Sequence, residues 1–320
     1  MIVNAVKSFG ARLQAVGLLP TLLAVAFVAF LLVAKAPTAS MSLKTITATA
    51  KAIGGSGAVV ITGIAIAVAV TLQPLQFRLV QILEGYWPSG PLRMLFRVGV
   101  RVQRWRYERL QDQLTGAVNH RHEAARRSSE ERISVAETRI LERFPDEDRL
   151  LPTALGNALR SAEDRAGRRY GAEAVVLWPR LFPLLPARLR ADIEDEVTQL
   201  DVSARLAVTW ATTAVISSTI VLLHPVKAAD NWGWVAIVAA VWLLAWLSYQ
   251  SAIESAIAHG LDIEVALDLH RSLVVSAMRL PEPARLSSEQ RVLTMLCRLY
   301  RTYDEDHKIE LHFVSKSQGT

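Results

Sequence analysis

Cysteine is almost missing from this sequence: Cys297 is the single one in 320 residues. One thiol can neither close an intramolecular disulfide nor build a cysteine-rich zinc site, so both classes are excluded. On a helix face it reads as a small hydrophobe rather than a reactive group. Lysine is scarce too, seven against 29 arginines, the kind of bias a GC-rich genome produces. The signature spacings of phosphate, nucleotide, zinc-protease, serine-hydrolase and calcium sites (GxGxxG, P-loop, HExxH, GxSxG, EF-hand) do not occur. The expectation is therefore a protein that is not an enzyme and uses no cofactor.

What the chain does have is apolar sequence gathered in blocks. Its hydrophobic share is 51%, and its mean hydropathy is +0.25 although 21% of residues are charged. Four stretches reach the roughly 17 to 25 residues needed to cross hydrocarbon. They are 16–34, 53–72, 206–223 and 232–249, and none contains a charge. The third is the most polar, with six hydroxyl residues, which can bond back to their own helix carbonyls. The fourth carries Trp232, Trp234 and Tyr249 at its ends, where interfacial anchors belong. The first ends at Ala34-Lys35-Ala36, a small-x-small pattern also found at leader cleavage sites, but its length favours a retained span.

Arginine sets the orientation. Residues 73–205 hold 22 arginines, whereas the short 224–231 loop has only Lys227. The positive-inside bias puts 73–205 in the cytoplasm. Four crossings then place 1–15 and 250–320 there too, with 35–52 and 224–231 outside. Lys35, Lys44 and Lys51 oppose this assignment mildly. The expected fold is an all-α membrane protein of four transmembrane helices in the cell membrane, with a helical cytoplasmic region between spans two and three.

Within that region, 91–110 ("PLRMLFRVGVRVQRWRYERL") predicts an interfacial basic helix. At 100° per residue, Arg93, Arg97, Arg101 and Arg104 share one stripe, while Leu95, Val98, Val102 and Trp105 share another about 125° away. That pattern suits contact with anionic lipids of the inner leaflet. The preceding residues 73–88 also show helical apolar spacing. Basic residues interleaved with Trp105 and Tyr107 raise nucleic acid as an alternative, but topology and lipid explain the cluster, and no nucleic-acid partner is expected.

Residues 100–144 predict charged helix with a narrow seam of Ile133, Ala136, Ile140 and Phe144, ended by Pro145. Such a seam fits packing on a partner helix or another copy, so a homo-oligomer is open. Residues 151–171 predict a helix capped by Thr153 and burying Leu155, Leu159, Ala162, Ala166 and Tyr170. Its Glu163 and Asp164 diverge by about 100° and read as partners for nearby arginines. "VVLWPRLFPLLP" (175–186) is apolar but broken by three prolines, predicting a docked or interfacial loop, or a re-entrant segment.

These residues carry a resemblance. The patterns LPT-x-LGN-x-LR-x-AEDRA-x-x-RYG and WPRL-x-x-LLP, with "LEGYWP" after span two and "ALDLHR" (266–271) after span four, resemble a family of uncharacterised multi-pass membrane proteins of high-GC bacteria. The likeness directly covers about a third of the chain. It implies architecture and no chemistry, so it assigns no functional residues.

Candidate polar sites are few. Thr209, Thr212, Thr213 and Ser217 form a strip in span three, read as interhelical packing with a solute-facing surface as the alternative. Glu264, Asp268 and Arg271 form an ion-pair cluster near His259, Asp262 and His270. Gly63, Ala67 and Thr71 make a small-residue face suited to helix association, and the "GGSG" at 54–57 suggests close approach or a flexible entry. His120 and His122 are spaced to point apart on a helix. At the C-terminus, Ser287 and Gln290 predict a capping box, with Leu293, Leu296, Tyr300 and Tyr303 on an apolar face and "KIELHFV" as a short strand. The first functional reading is a non-enzymatic, membrane-anchored interaction or structural assembly. The second, from topology alone, is an oligomeric ion channel or transporter of bestrophin-like layout.

Overall fold

The computed structural model describes residues 20–36, 38, 42–87, 93–119, 126–223 and 232–301. Every regular element among the described residues is helical. In chain order these are α1 (Pro20–Val33), α2 (Leu43–Leu83), α3 (Arg93–Asn119), α4 (Arg126–Arg143) and α5 (Ala154–Arg165). There follow α6 (Ala174–Leu181), α7 (Ala187–Leu223), α8 (Trp232–His270), α9 (Ser272–Ala277) and α10 (Leu286–Arg301).

Three helices are long and apolar enough to cross a membrane: Lys44–Thr71 within α2, then α7 and α8. The expected first span falls on α1 from Pro20 onward, a shorter apolar helix than these three; its residues 16–19, like the 224–231 loop, lie outside the described residues. Helix α2 starts at Leu43, inside the segment expected as an outer loop, and breaks at Gly54, whose φ of 55° and ψ of −173° are not helical. The GGSG stretch thus supplies a bend, because glycine tolerates positive φ without a Cβ clash.

Spans three and four are each only part of a longer helix. At 1.5 Å per residue α7 and α8 run for about 56 and 58 Å, against about 30 Å of hydrocarbon. Residues 187–205 carry no proline or glycine, so nothing interrupts the ladder where composition turns from polar to apolar.

The chain divides into two compact units: Met1–Leu83 with Gln199–Ala252, and Glu84–Thr198 with Ile253–Thr320. In the first, Leu31 of α1 and Ala34 and Ala36 in the turn after it pack with Val221, Trp234 and Val238. Trp232 is 73% exposed, as an interfacial anchor would be, but Trp234 is fully buried against Phe30. It is a core residue, and its assignment as an anchor is corrected. Ser203 with Ser251 (3.0 Å), and Trp242 Nε1 donating to Ser218 Oγ (3.1 Å), tie α7 to α8.

In the second unit α3 packs on α4, with Ile133 and Ile140 buried and Phe144 edge-on to Tyr107. Thr153 caps α5 by accepting the Gly156 N–H at 3.1 Å. Asn157, fully buried, accepts the Leu151 N–H and donates to the Leu151 carbonyl, satisfying the extended chain before the helix. Gly156 lies directly on the Glu84 backbone, where a methyl group would overlap the Glu84 carbonyl oxygen. Glu84 and Gly85 therefore meet the "LPTALGN" segment in space.

Helix α5 stops at Arg165, short of the expected end, because Gly167 takes the left-handed conformation that closes helices. The proline-broken 175–186 segment is not a loop: α6 and a 3-10 turn bury Leu177, Leu181 and Leu185 in the main core. That core also holds Leu267, Val274, Val275, Leu293, Leu296 and Cys297. Helix α10 begins at Leu286, so Ser287 is not its cap, and the expected capping box is not formed. Gln290 instead donates to the Arg169 carbonyl at 2.9 Å. Tyr303 and the expected strand lie outside the described residues.

Gly156→Ala should lower stability by about 3 kcal/mol, since an added carbon meets backbone rather than a movable side chain. Thermal unfolding of the detergent-solubilised protein would register this as a clear drop in Tm, while Gly63→Ala, in open surroundings within α2, should not lower it.

Candidate functional site

Helix α3 presents three distinct faces. Phe96, Gly99, Val100, Gln103 and Tyr107 turn inward, with Gln103 buried. Arg93, Arg97 and Arg101 are exposed on the basic stripe. The apolar stripe of Leu95, Val98, Val102 and Trp105 is exposed as well. Of the four arginines assigned to lipid, Arg104 is the exception, paired at 3.4 Å with Glu147. Both partners are about half exposed, so the pair adds little stability.

The ion-pair cluster after span four is real but wired differently from the sequence reading. Glu264 faces Arg165 and Arg169 at 3.9 and 3.8 Å, and Asp268 faces Arg169 at 4.0 Å. Arg271 does not pair with the Asp268 carboxylate; it donates to that residue's backbone carbonyl. Its carboxylate partner is Glu289 on α10, held by two bonds of 2.8 and 3.2 Å. Its guanidinium also stacks 3.7 Å above the Tyr170 ring. Both sides of the Arg271–Glu289 bridge are largely buried. A bidentate, partly dehydrated guanidinium–carboxylate pair is the strong form of this interaction. Glu289 and Tyr170 were missed because their sequence distance from Arg271 leaves no local spacing to read.

Asp164 is paired with Arg149, not with an arginine of its own helix. Burial pushes its carboxyl above the ordinary range, and Arg149 and Arg160 pull back against that shift. Arg160 and Arg149 act on Glu163 as well, so the two adjacent acids share one arginine network.

In α7 the hydroxyl strip divides. Thr213 donates to the Thr209 carbonyl and Ser217 to the Thr213 carbonyl, both at 2.7 Å, and both side chains are buried. Thr212 is exposed on a different face. The geometry suits packing. In α2, Gly63 has open space around it and Thr71 bonds to the Ala67 carbonyl, so this small-residue face meets no neighbour among the described residues.

Among the described residues no group of three metal-ligating side chains converges; His120 and His122 lie outside them. No family model, curated protein or solved structure matches the chain.

Cys297 is 2% exposed and accepts the Glu173 N–H at 3.3 Å. Burial pushes its thiol up to about 11, against a modest opposing pull from Arg180. The thiolate is the reactive form, so the folded protein should react with maleimide at pH 8 about a hundredfold more slowly than the denatured chain. Equal rates with and without denaturant would contradict this placement.

Proposed function

We propose that this chain is a non-enzymatic integral protein of the cell membrane that anchors a helical cytoplasmic assembly for interaction with partners or further copies. Four crossings leave both termini and residues 73–205 in the cytoplasm. The observation that carries this reading is the continuity of α7 and α8. Each is uncharged along one bilayer-length stretch and charged along the rest, without a break. Such helices suit mechanical support between membrane and cytosol better than chemistry. The motif resemblance to uncharacterised multi-pass membrane proteins of high-GC bacteria points the same way.

Contact with anionic lipid is supported by Arg93, Arg97 and Arg101 beside the bare apolar stripe of α3. A homo-oligomer is supported by α2, where only 6% of the most apolar stretch is buried within the chain. Channel function has less support, since the Thr213 and Ser217 hydroxyls already bond to their own helix.

Proteoliposomes of the purified chain should pass no ions above the protein-free background. A conductance lost in Thr209→Ala/Thr213→Ala would overturn the anchoring role in favour of a channel.

A further inference from the structure

One groove in the second unit is matched by no earlier assignment. It encloses 380 Å³, within the range of small-molecule sites. Its lining includes Gln103, Trp105, Arg106, Arg109, Arg143 and Ile253. Arg106 and Arg109 are three residues apart, hence neighbours on one face of α3. Arg143 is matched by Glu254, but among the described residues neither Arg106 nor Arg109 is ion-paired. Among the described residues the groove thus holds two positive charges with no matching carboxylate. Arg109 is held in place over the Trp105 ring, 5.4 Å from its centroid.

Two features choose among anions. Trp105 is 55% exposed and closes the bare apolar stripe of α3, so one wall of the groove runs into surface suited to acyl chains. Gln103 is 6% exposed, and among the described residues its Oε1 has no hydrogen-bond partner. A buried carbonyl oxygen left unpaired beside two cations calls for a hydroxyl next to a phosphate.

We propose that this groove binds the headgroup of one anionic glycerophospholipid of the phosphatidylglycerol type. Arg106 and Arg109 hold the phosphodiester, a glycerol hydroxyl donates to Gln103, and Trp105 and Ile253 border the acyl chains. The inference rests on α3 lying at the membrane surface and adds a single defined site to that general contact.

The test is a titration of the purified full-length chain in mild detergent with phosphatidylglycerol and with phosphatidylcholine, counting bound lipid by native mass spectrometry. The expected result is one phosphatidylglycerol per chain, held in preference to phosphatidylcholine. Arg106→Gln/Arg109→Gln should weaken it roughly tenfold or more, as loss of charge-assisted hydrogen bonds implies. Arg106→Lys/Arg109→Lys should recover part of the loss. Both arginines are exposed, so an unchanged Tm is expected for each variant. Equal binding of the two lipids, or unaltered binding in the Gln variant, overturns the proposal. Displacement by glycerol phosphate at the affinity of the lipid also overturns it, marking a site for soluble anions. Weakening by Arg93→Gln/Arg97→Gln/Arg101→Gln alone overturns the groove but leaves the surface contact of α3 standing.

Discussion

Hydrocarbon about 30 Å thick admits only so much helix, and the long helices of this chain exceed it nearly twofold. Everything else follows from that excess. Backbone inside lipid must satisfy its own hydrogen bonds, which a continuous helix does. The surplus turns of α7 and α8 leave the apolar stretch and must bury their apolar residues elsewhere. Ile193 of α7 and Ala266 and Leu267 of α8 do so in the core with α6, α9 and α10. A helix that belongs to two environments carries two patterns along its length: α7 is amphipathic first and uniformly apolar after, and α8 the reverse.

The second unit holds together through close backbone approach and stacked arginines. Where α5 begins, the Glu84 carbonyl occupies the volume of a side chain that Gly156 does not have. Asn157 ties down the chain just before it. Around the core, arginine works as a plane as much as a charge: Arg271 lies on Tyr170 and Arg180 on Tyr300, each at 3.7 Å. A lysine has no flat face to offer there, so the arginine excess has structural uses whatever its genomic origin.

The apolar runs, the helical class and the Thr153 cap were legible because each depends on composition or on residues a few positions apart. The lengths of α7 and α8 were not, since a change from charged to uncharged sequence looks like a boundary although no proline or glycine ends α7 there. The 175–186 segment misled in the opposite sense: three prolines suggested a loop, yet Pro179 sits inside α6 while Leu177, Leu181 and Leu185 enter the core. Trp234 looked like an anchor by position and is buried by tertiary contact. Among candidate sites, the stripes of α3 were readable from 100° arithmetic. The partners of Arg104, Asp164 and Arg271 were not, because Glu147, Arg149 and Glu289 reach them from other elements.

The central claim is that residues 73–205 share the cytoplasmic side with the C-terminal helices while the apolar stretches lie in lipid. Alkaline phosphatase fused in turn after residues 45, 150, 228 and 301 measures this directly, since the enzyme is active only outside the cytoplasm. The account predicts activity at 45 and 228 and none at 150 or 301. An active fusion at 150 would contradict it.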